Sequence, residues 1–326
     1  MDIFNPAFWT FVAVIAGIYG IMALGLYVQF SLAGLPNFGH VAFMAVAAYA
    51  MAILVVRYQV ALPLAALGGL AAAVVLAVIM GVPALRLRAD YLAIATIAGS
   101  EIIRYLVMSL PELTGGAIGS MGLLGPGEIA LYNQDWQAFL DAVAGYAAPL
   151  LGAVPSRDEV TMVLVWALLI ALIALFWRLE RAPWGRVLKG IREDDTAVAA
   201  VGKNVVHFKM QALIVGAVLG GIAGLLLAWQ IGVFSPDDYQ PTLTFYAYLI
   251  LILGGVNRIW AIPVGALLFS LLYTGTRFLN FFPLSLFDPG ERAFLRLFLV
   301  GLLLVLFMAL RPEGAFGDRR QLMLEK

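Results

Sequence analysis

Long apolar blocks without a single charge set the pattern of this chain. From Ile3 to Val56 there is no Asp, Glu, Lys or Arg. A membrane crossing needs roughly 20 apolar residues in a helix rising about 1.5 Å per residue. Blocks of that size lie at 8–28, 40–56, 62–82, 91–110, 160–177, 210–230, 241–257, 260–279 and 293–310. They predict about nine transmembrane helices, within a range of roughly 8–10. The blocks are continuous, not alternating, which argues against a transmembrane barrel. An open sheet edge has no hydrogen-bond partner in hydrocarbon. The expected fold is therefore all-α, a single polytopic transmembrane domain over 1–326.

Polar positions orient these blocks. The segment from Arg178 to Lys209 holds seven Lys/Arg, whereas 111–159 holds one base, Arg157, against six acids. The positive-inside rule makes the first cytoplasmic and the second extracytoplasmic. The tail 311–326 is expected inside, "FSPDDY" outside, and the N-terminus outside if 8–28 and 40–56 both cross fully. Within 111–159, Trp136, Phe139, Leu140 and Val143 share one face of an amphipathic helix. That helix suits the outer interface, as a packed surface helix or in direct lipid contact.

Composition agrees: 63% hydrophobic and 12% charged, against roughly 25% charged in soluble domains. The acidic start "MDIFNPAFWTF" lacks the basic region of a signal peptide. Zero net charge gives no bulk attraction to nucleic acid. No cysteine is present, and the two histidines, His40 and His207, are far apart, so no metal site is expected. Phosphate-loop, dinucleotide-binding, zinc-protease and serine-hydrolase motifs are all missing. An enzyme is not expected.

The chemistry sits at breaks and turns. "GLPNFGHVAFMAVAAYA" and "GGVNRIWAIPVGALLFS" are similar Gly-rich interruptions in two halves of the chain, the pattern of a transporter built from repeats. They make Asn37, Gly39, His40, Gly254, Gly255 and Asn257 candidate pathway residues. Gly216, Gly220 and Gly224 recur every four residues, allowing close helix approach. Glu101 and Arg104 fall on one face of the 91–110 span, about 16 Å along it from Asp90. They read as either a pathway element or a structural ion pair. Thr114, Gly115 and Gly116 make a turn or an outer docking point.

"WGRVLKGIREDDTAVAAVGKN" breaks most sharply with its surroundings. Pro183 suits a first helical position. Trp184, Val187, Leu188 and Ile191 form an apolar face. Asp194, Asp195 or Thr196 can cap a second short helix that ends at Gly202. This pair over 183–204 has the periodicity of a docking element for a soluble partner.

With these residues in view, the chain resembles the M-type permease subunits of branched-chain amino acid ABC importers. The likeness rests on "LRLRADYLAIATIAGSEIIRYLV", "LTGGAIGSMGL", "WGRVLKGIREDDTAVAAVGKN", "GGIAGLLLAWQIGVFSPDDY" and "LRPEGAFG", in the family's order. It implies a multi-pass protein of the bacterial inner membrane with no cofactor of its own. ATP and Mg would belong to two cytoplasmic ATPase subunits. A second homologous permease subunit, as a heterodimer, and a periplasmic substrate-binding protein would complete the system. The 183–204 stretch corresponds to the coupling loop. Ala199, Ala200 and Gly202 would be its small-residue core, with Arg186, Lys189, Arg192, Glu193 and Asp194 as docking contacts. Where the family usually has a Ser-Leu-Gly-His-like run, this chain reads "LPNFGH". Urea and short-amide importers share the permease type. An ion-coupled secondary transporter is the alternative from another class, and it predicts an uncompensated intramembrane carboxylate.

Overall fold

A computed structural model describes residues 6–123 and 131–273, with isolated helical positions between 291 and 305. Among them every regular element is helical. Six helices are long and apolar enough to cross a membrane: α1 (Pro6–Leu26, prolonged to Leu32), α2 (Val41–Tyr58), α3 (Leu62–Ala84), α4 (Ala89–Ser109), α7 (Arg157–Arg181) and α10 (Val205–Ile231). Between them lie α5 (Pro111–Thr114), α6 (Leu131–Leu151), α8 (Pro183–Glu193) and α9 (Asp195–Ala200). The expected spans 241–257 and 260–279 appear as α11 (Thr242–Gly254) and α12 (Ile262–Tyr273), which belong to a broken pair bent by 107°. The described part of α12 ends at Tyr273. Of the expected last span 293–310 only isolated positions are described, and the whole tail 311–326 lies outside the described residues.

The helices define two poles. Tyr27 at the end of α1 reaches Glu180 at the end of α7. Near the other end, the Trp166 indole donates to the Ala13 carbonyl at 2.9 Å. The first crossing is thus complete, from a pole holding Asp237 and α6 to one holding α8 and α9. The first pole is acidic and the second basic.

Packing follows from where small residues fall. α1 and α10 are the most enclosed spans and α4 the least. The glycine face of α10 accounts for this: at Gly216, Gly220 and Gly224 a Cβ would run into Gln29, His40 and the Met44 backbone. Such close backbone approach is what small residues permit in a bilayer. At the acidic pole, α6 is held by tertiary contacts. Trp136 stacks on Trp229 of α10 with ring centroids 4.4 Å apart, and the Tyr132 hydroxyl donates to the Gly232 carbonyl at 2.7 Å. Leu140 packs with Ala144 and Val160. Trp136, Leu140 and Val143 of the α6 apolar stripe therefore face protein, whereas Phe139 is exposed, and Tyr146 points away from it, 84% exposed.

Candidate functional site: the coupling helices and the two breaks

α8 begins on Pro183, whose missing N–H would be unbonded in any case. Gly185, Leu188 and Ile191 are its buried face. Asp194 then leaves the helix and caps α9. Its carboxylate accepts from the Thr196 hydroxyl at 2.6 Å and from the N–H groups of Ala197 and Thr196 at 3.0 and 2.9 Å. The Thr196 hydroxyl, with those N–H groups, holds the Asp194 carboxyl below the usual carboxylate range. α9 buries none of its residues. Ala199, Ala200 and Gly202 are exposed, and Val201 is 74% exposed. Gly202 sits at φ 81°, a left-handed position that glycine adopts without Cβ strain. The Asn204 side-chain Oδ1 then caps α10 by accepting from the His207 N–H at 3.1 Å.

The bases of α8 face two ways. Arg186 and Glu193 are exposed. Lys189 donates to Glu180 at 2.7 Å, and Glu180 also accepts from the Tyr27 hydroxyl at 3.2 Å. Arg192 donates to the Ser31 carbonyl and to Asn257 Oδ1, both at 2.8 Å. Expected as docking contacts, Lys189 and Arg192 fasten α8 to the rest of the permease. A Cβ on Gly34 would lie 3.2 Å from the Arg192 Cα. Arg192 therefore touches both interruptions, 33–40 and 255–258. A cleft of about 370 Å³, lined by Trp177, Glu180, Arg181, Asn257 and Trp260, opens beside this junction.

The first interruption is a buried polar knot. α1 ends in a π-helical turn, Tyr27–Leu32, a distortion often found at functional positions. It presents Gln29, whose Nε2 donates to the Leu213 carbonyl of α10 at 3.1 Å. Gln29 Oε1 accepts from Asn37 Nδ2 at 3.0 Å and lies 3.2 Å from His40 Nδ1. Since that oxygen only accepts, Nδ1 carries the proton. His40 Nε2 has no hydrogen-bond partner. Asn37 Oδ1 accepts from the Gly39 N–H. Thr96 of α4 and Thr244 of α11 accept from the N–H groups of Phe38 and Val41 at 3.1 and 3.0 Å. Asn37, Gly39 and His40 are thus one cluster, completed by Gln29, Thr96 and Thr244. Gln29, the lone amide in the uncharged stretch from Pro6 to Pro36, was the signal available in the sequence.

Gly254 and Gly255 are buried and Asn257 is exposed. These three stand at the basic pole by Arg192, apart from the His40 cluster. Glu101 and Arg104 pair as expected, with the shortest contact 2.8 Å. Arg104 also donates to Asp237 at 2.9 Å, in the turn beyond α10. The pair therefore stands just past the middle of α4, on the side of the acidic pole. Thr114 is buried, and its hydroxyl donates back to the Val107 and Leu110 carbonyls. Gly115 and Gly116 have φ of 82° and 64°, and a Cβ on Gly115 would strike the Gly119 carbonyl. This is a tight turn locked onto the following segment, with its hydroxyl used inside. Among the described residues, no group of three His, Asp or Glu could hold a metal.

The family model for the permease component of branched-chain amino acid transport systems matches residues 8–308. The chain belongs to that family. Among curated proteins it is 32% identical to the high-affinity branched-chain amino acid transport system permease protein LivM of Salmonella typhimurium. That alignment covers 96% of this chain and 71% of the relative. The LivM of Escherichia coli aligns with the same identity and coverage. A probable LivM of Methanocaldococcus jannaschii is 24% identical, covering 93% of this chain and 91% of that one. No solved structure matches. Family membership decides between the transport classes left open by the residues: this is a permease subunit of an importer, not an ion-coupled secondary transporter. Glu101 agrees, since Arg104 compensates it.

Proposed function

We propose that this permease is the M-type half of an ATP-driven importer for branched-chain amino acids in the bacterial cytoplasmic membrane. The basic pole faces the cytoplasm. One homologous permease subunit, two ATPase subunits and an extracytoplasmic binding protein complete it, and ATP and Mg stay with the ATPases. The observation that carries this reading is the α8–α9 pair, an exposed capped helix on a helix fastened into the membrane domain.

ATPase closure moves α9. Asp194 joins α9 to α8, and α8 is tied through Arg192 to both interruptions and through Lys189 to α7. Displacement of one cytoplasmic loop thus pulls on α1, α7 and the α11–α12 turn together, as alternating access requires.

The test is to isolate the chain from native membranes and identify what accompanies it. An ATPase and a binding protein that takes up leucine, isoleucine or valine are expected. A binding protein selective for urea or a short amide would move the substrate, and absence of any ATPase would overturn the importer itself.

A further inference from the structure

The block 160–177 of α7 carries no charge. A helix of that size measures about 27 Å, close to the hydrocarbon thickness. Trp177 and Arg181 therefore emerge at the headgroup layer of the basic pole, where indoles and bases collect. The cleft of about 370 Å³ opens at this level, between the end of α7 and the start of α12. Its volume falls within the roughly 300–1,000 Å³ of small-molecule sites. The Trp177 and Trp260 rings meet edge to face on its wall with centroids 5.9 Å apart. Ile259 and Val264 extend that wall as an apolar surface.

The polar groups of the cleft differ in how they are engaged. Glu180 gives one oxygen to the Lys189 ammonium and the other to the Tyr27 hydroxyl. Asn257 Oδ1 accepts from Arg192. Arg181 is exposed, and its guanidinium carbon lies 3.8 Å from the centroid of the Trp177 ring. Among the described residues it is in no ion pair. The indole positions this cation without supplying an oxygen acceptor. A guanidinium so placed keeps donors for a phosphate, which it can clasp through two N–H groups at once. Arg258 lines the same cleft, so the lining holds two guanidinium groups and one carboxylate, and that carboxylate is already satisfied.

We propose that this cleft binds an anionic phospholipid, with its phosphate on Arg181 and an acyl chain along the wall at Val264. Basic pockets between helix ends at the cytoplasmic surface suit such headgroups. A free phosphate would leave the apolar wall unused. A zwitterionic headgroup brings its own cation, and Glu180, held by Lys189 and Tyr27, has no charge left to receive it. The site borders both ties of α8, since Glu180 holds Lys189 and Asn257 holds Arg192. A bound lipid would therefore brace the anchor of the coupling helices. The proposal uses only the membrane placement of the chain, so it stands or fails separately from the importer reading.

The full chain, purified in detergent with whatever subunits accompany it and stripped of lipid, is titrated with phosphatidylglycerol or phosphatidylethanolamine. Native mass spectrometry counts the lipid retained. Phosphatidylglycerol should bind at least about tenfold more tightly, and Arg181→Gln should remove that preference, as expected for one charged contact. Val264→Trp fills the cleft with the charges intact and should also weaken binding by about tenfold. Arg86→Gln removes an exposed base between α3 and α4, at the same pole and outside the cleft, and should leave binding unchanged. Equal affinity for the two lipids overturns the proposal, as does an equal loss in Arg86→Gln and Arg181→Gln, which would mean general charge attraction. Full binding by Val264→Trp would place the lipid elsewhere. Displacement of the lipid by an excess of inorganic phosphate would make this a free-anion site and overturn the lipid assignment.

Discussion

α8 and α9 are neighbours in one polar stretch with opposite fates. α8 buries Gly185, Leu188 and Ile191 and spends two of its bases on partners within the chain. α9 buries nothing and holds its shape through Asp194 and one ion pair, Lys209 to Asp195 at 2.9 Å. The first is built as an anchor and the second as a presented surface. Charge alone does not separate these roles, since Arg186 and Arg192 sit six residues apart on one helix and only the second is tied down.

The strongest way to break this comparison is at the presented surface. Ala199→Arg adds a long cation where the docking face is small. Uptake should fall by more than about tenfold with membrane content unchanged, since Ala199 makes no buried contact. ATPase co-purification should fall with it. Gly202→Asp adds charge through a residue type that tolerates the left-handed region, so it should lose uptake in the same way. Normal uptake and co-purification in both variants would sink the docking assignment.

The anchor should fail differently. Arg192→Ala removes the bonds to Ser31 and Asn257 while leaving α9 intact. The ATPase should still co-purify, and uptake should drop about tenfold, the equivalent of losing one charged hydrogen bond. Loss of co-purification would mean that Arg192 contacts the ATPase after all.

Behind the anchor, Gln29→Ala strands the Asn37 amide and the Leu213 carbonyl in a buried site. The expected cost is about 1–3 kcal/mol, read as a lower Tm in detergent with ATPase binding retained. An unchanged Tm would show that the knot adds nothing to stability.

The smallest effect belongs to the cap. Asp194→Asn keeps an equally good N-cap acceptor, so uptake should stay within about twofold. The folded carboxyl is held below its ordinary value of 3.8. Its contribution is therefore complete above that value and disappears only as pH falls through the lowered one. Protease cleavage after Lys203 should be flat between pH 5 and 8. A rise in cleavage within that window would contradict the cap.

How much of this was legible follows from the range of each interaction. α8 and α9 were readable because Pro183, the spacing of Leu188 and Ile191, an Asp before Thr196, and Gly202 all act within one or two helical turns. The glycines of α10 were equally plain, but not that Gln29 and His40 would fill the space they leave. The Glu101–Arg104 pair was local. Asp237, 133 residues from Arg104, was not. α6 shows the same limit from the other side, since its apolar face was evident and its partner, Trp229, was not.

The sequence by itself determined that this chain lives in lipid as helices. Backbone groups without water must bond within their own segment, and uncharged blocks of sufficient length leave no alternative. It also determined where the chain leaves the membrane to present a polar surface. Only the tertiary structure decided that Arg192 joins Ser31 and Asn257, 161 and 65 residues away, and that Gln29 reaches Leu213, 184 residues on. A buried polar group must find some partner, but its identity depends on how the helices are placed and rotated against one another. That placement is fixed by many close contacts at once, and no single stretch of the chain contains it.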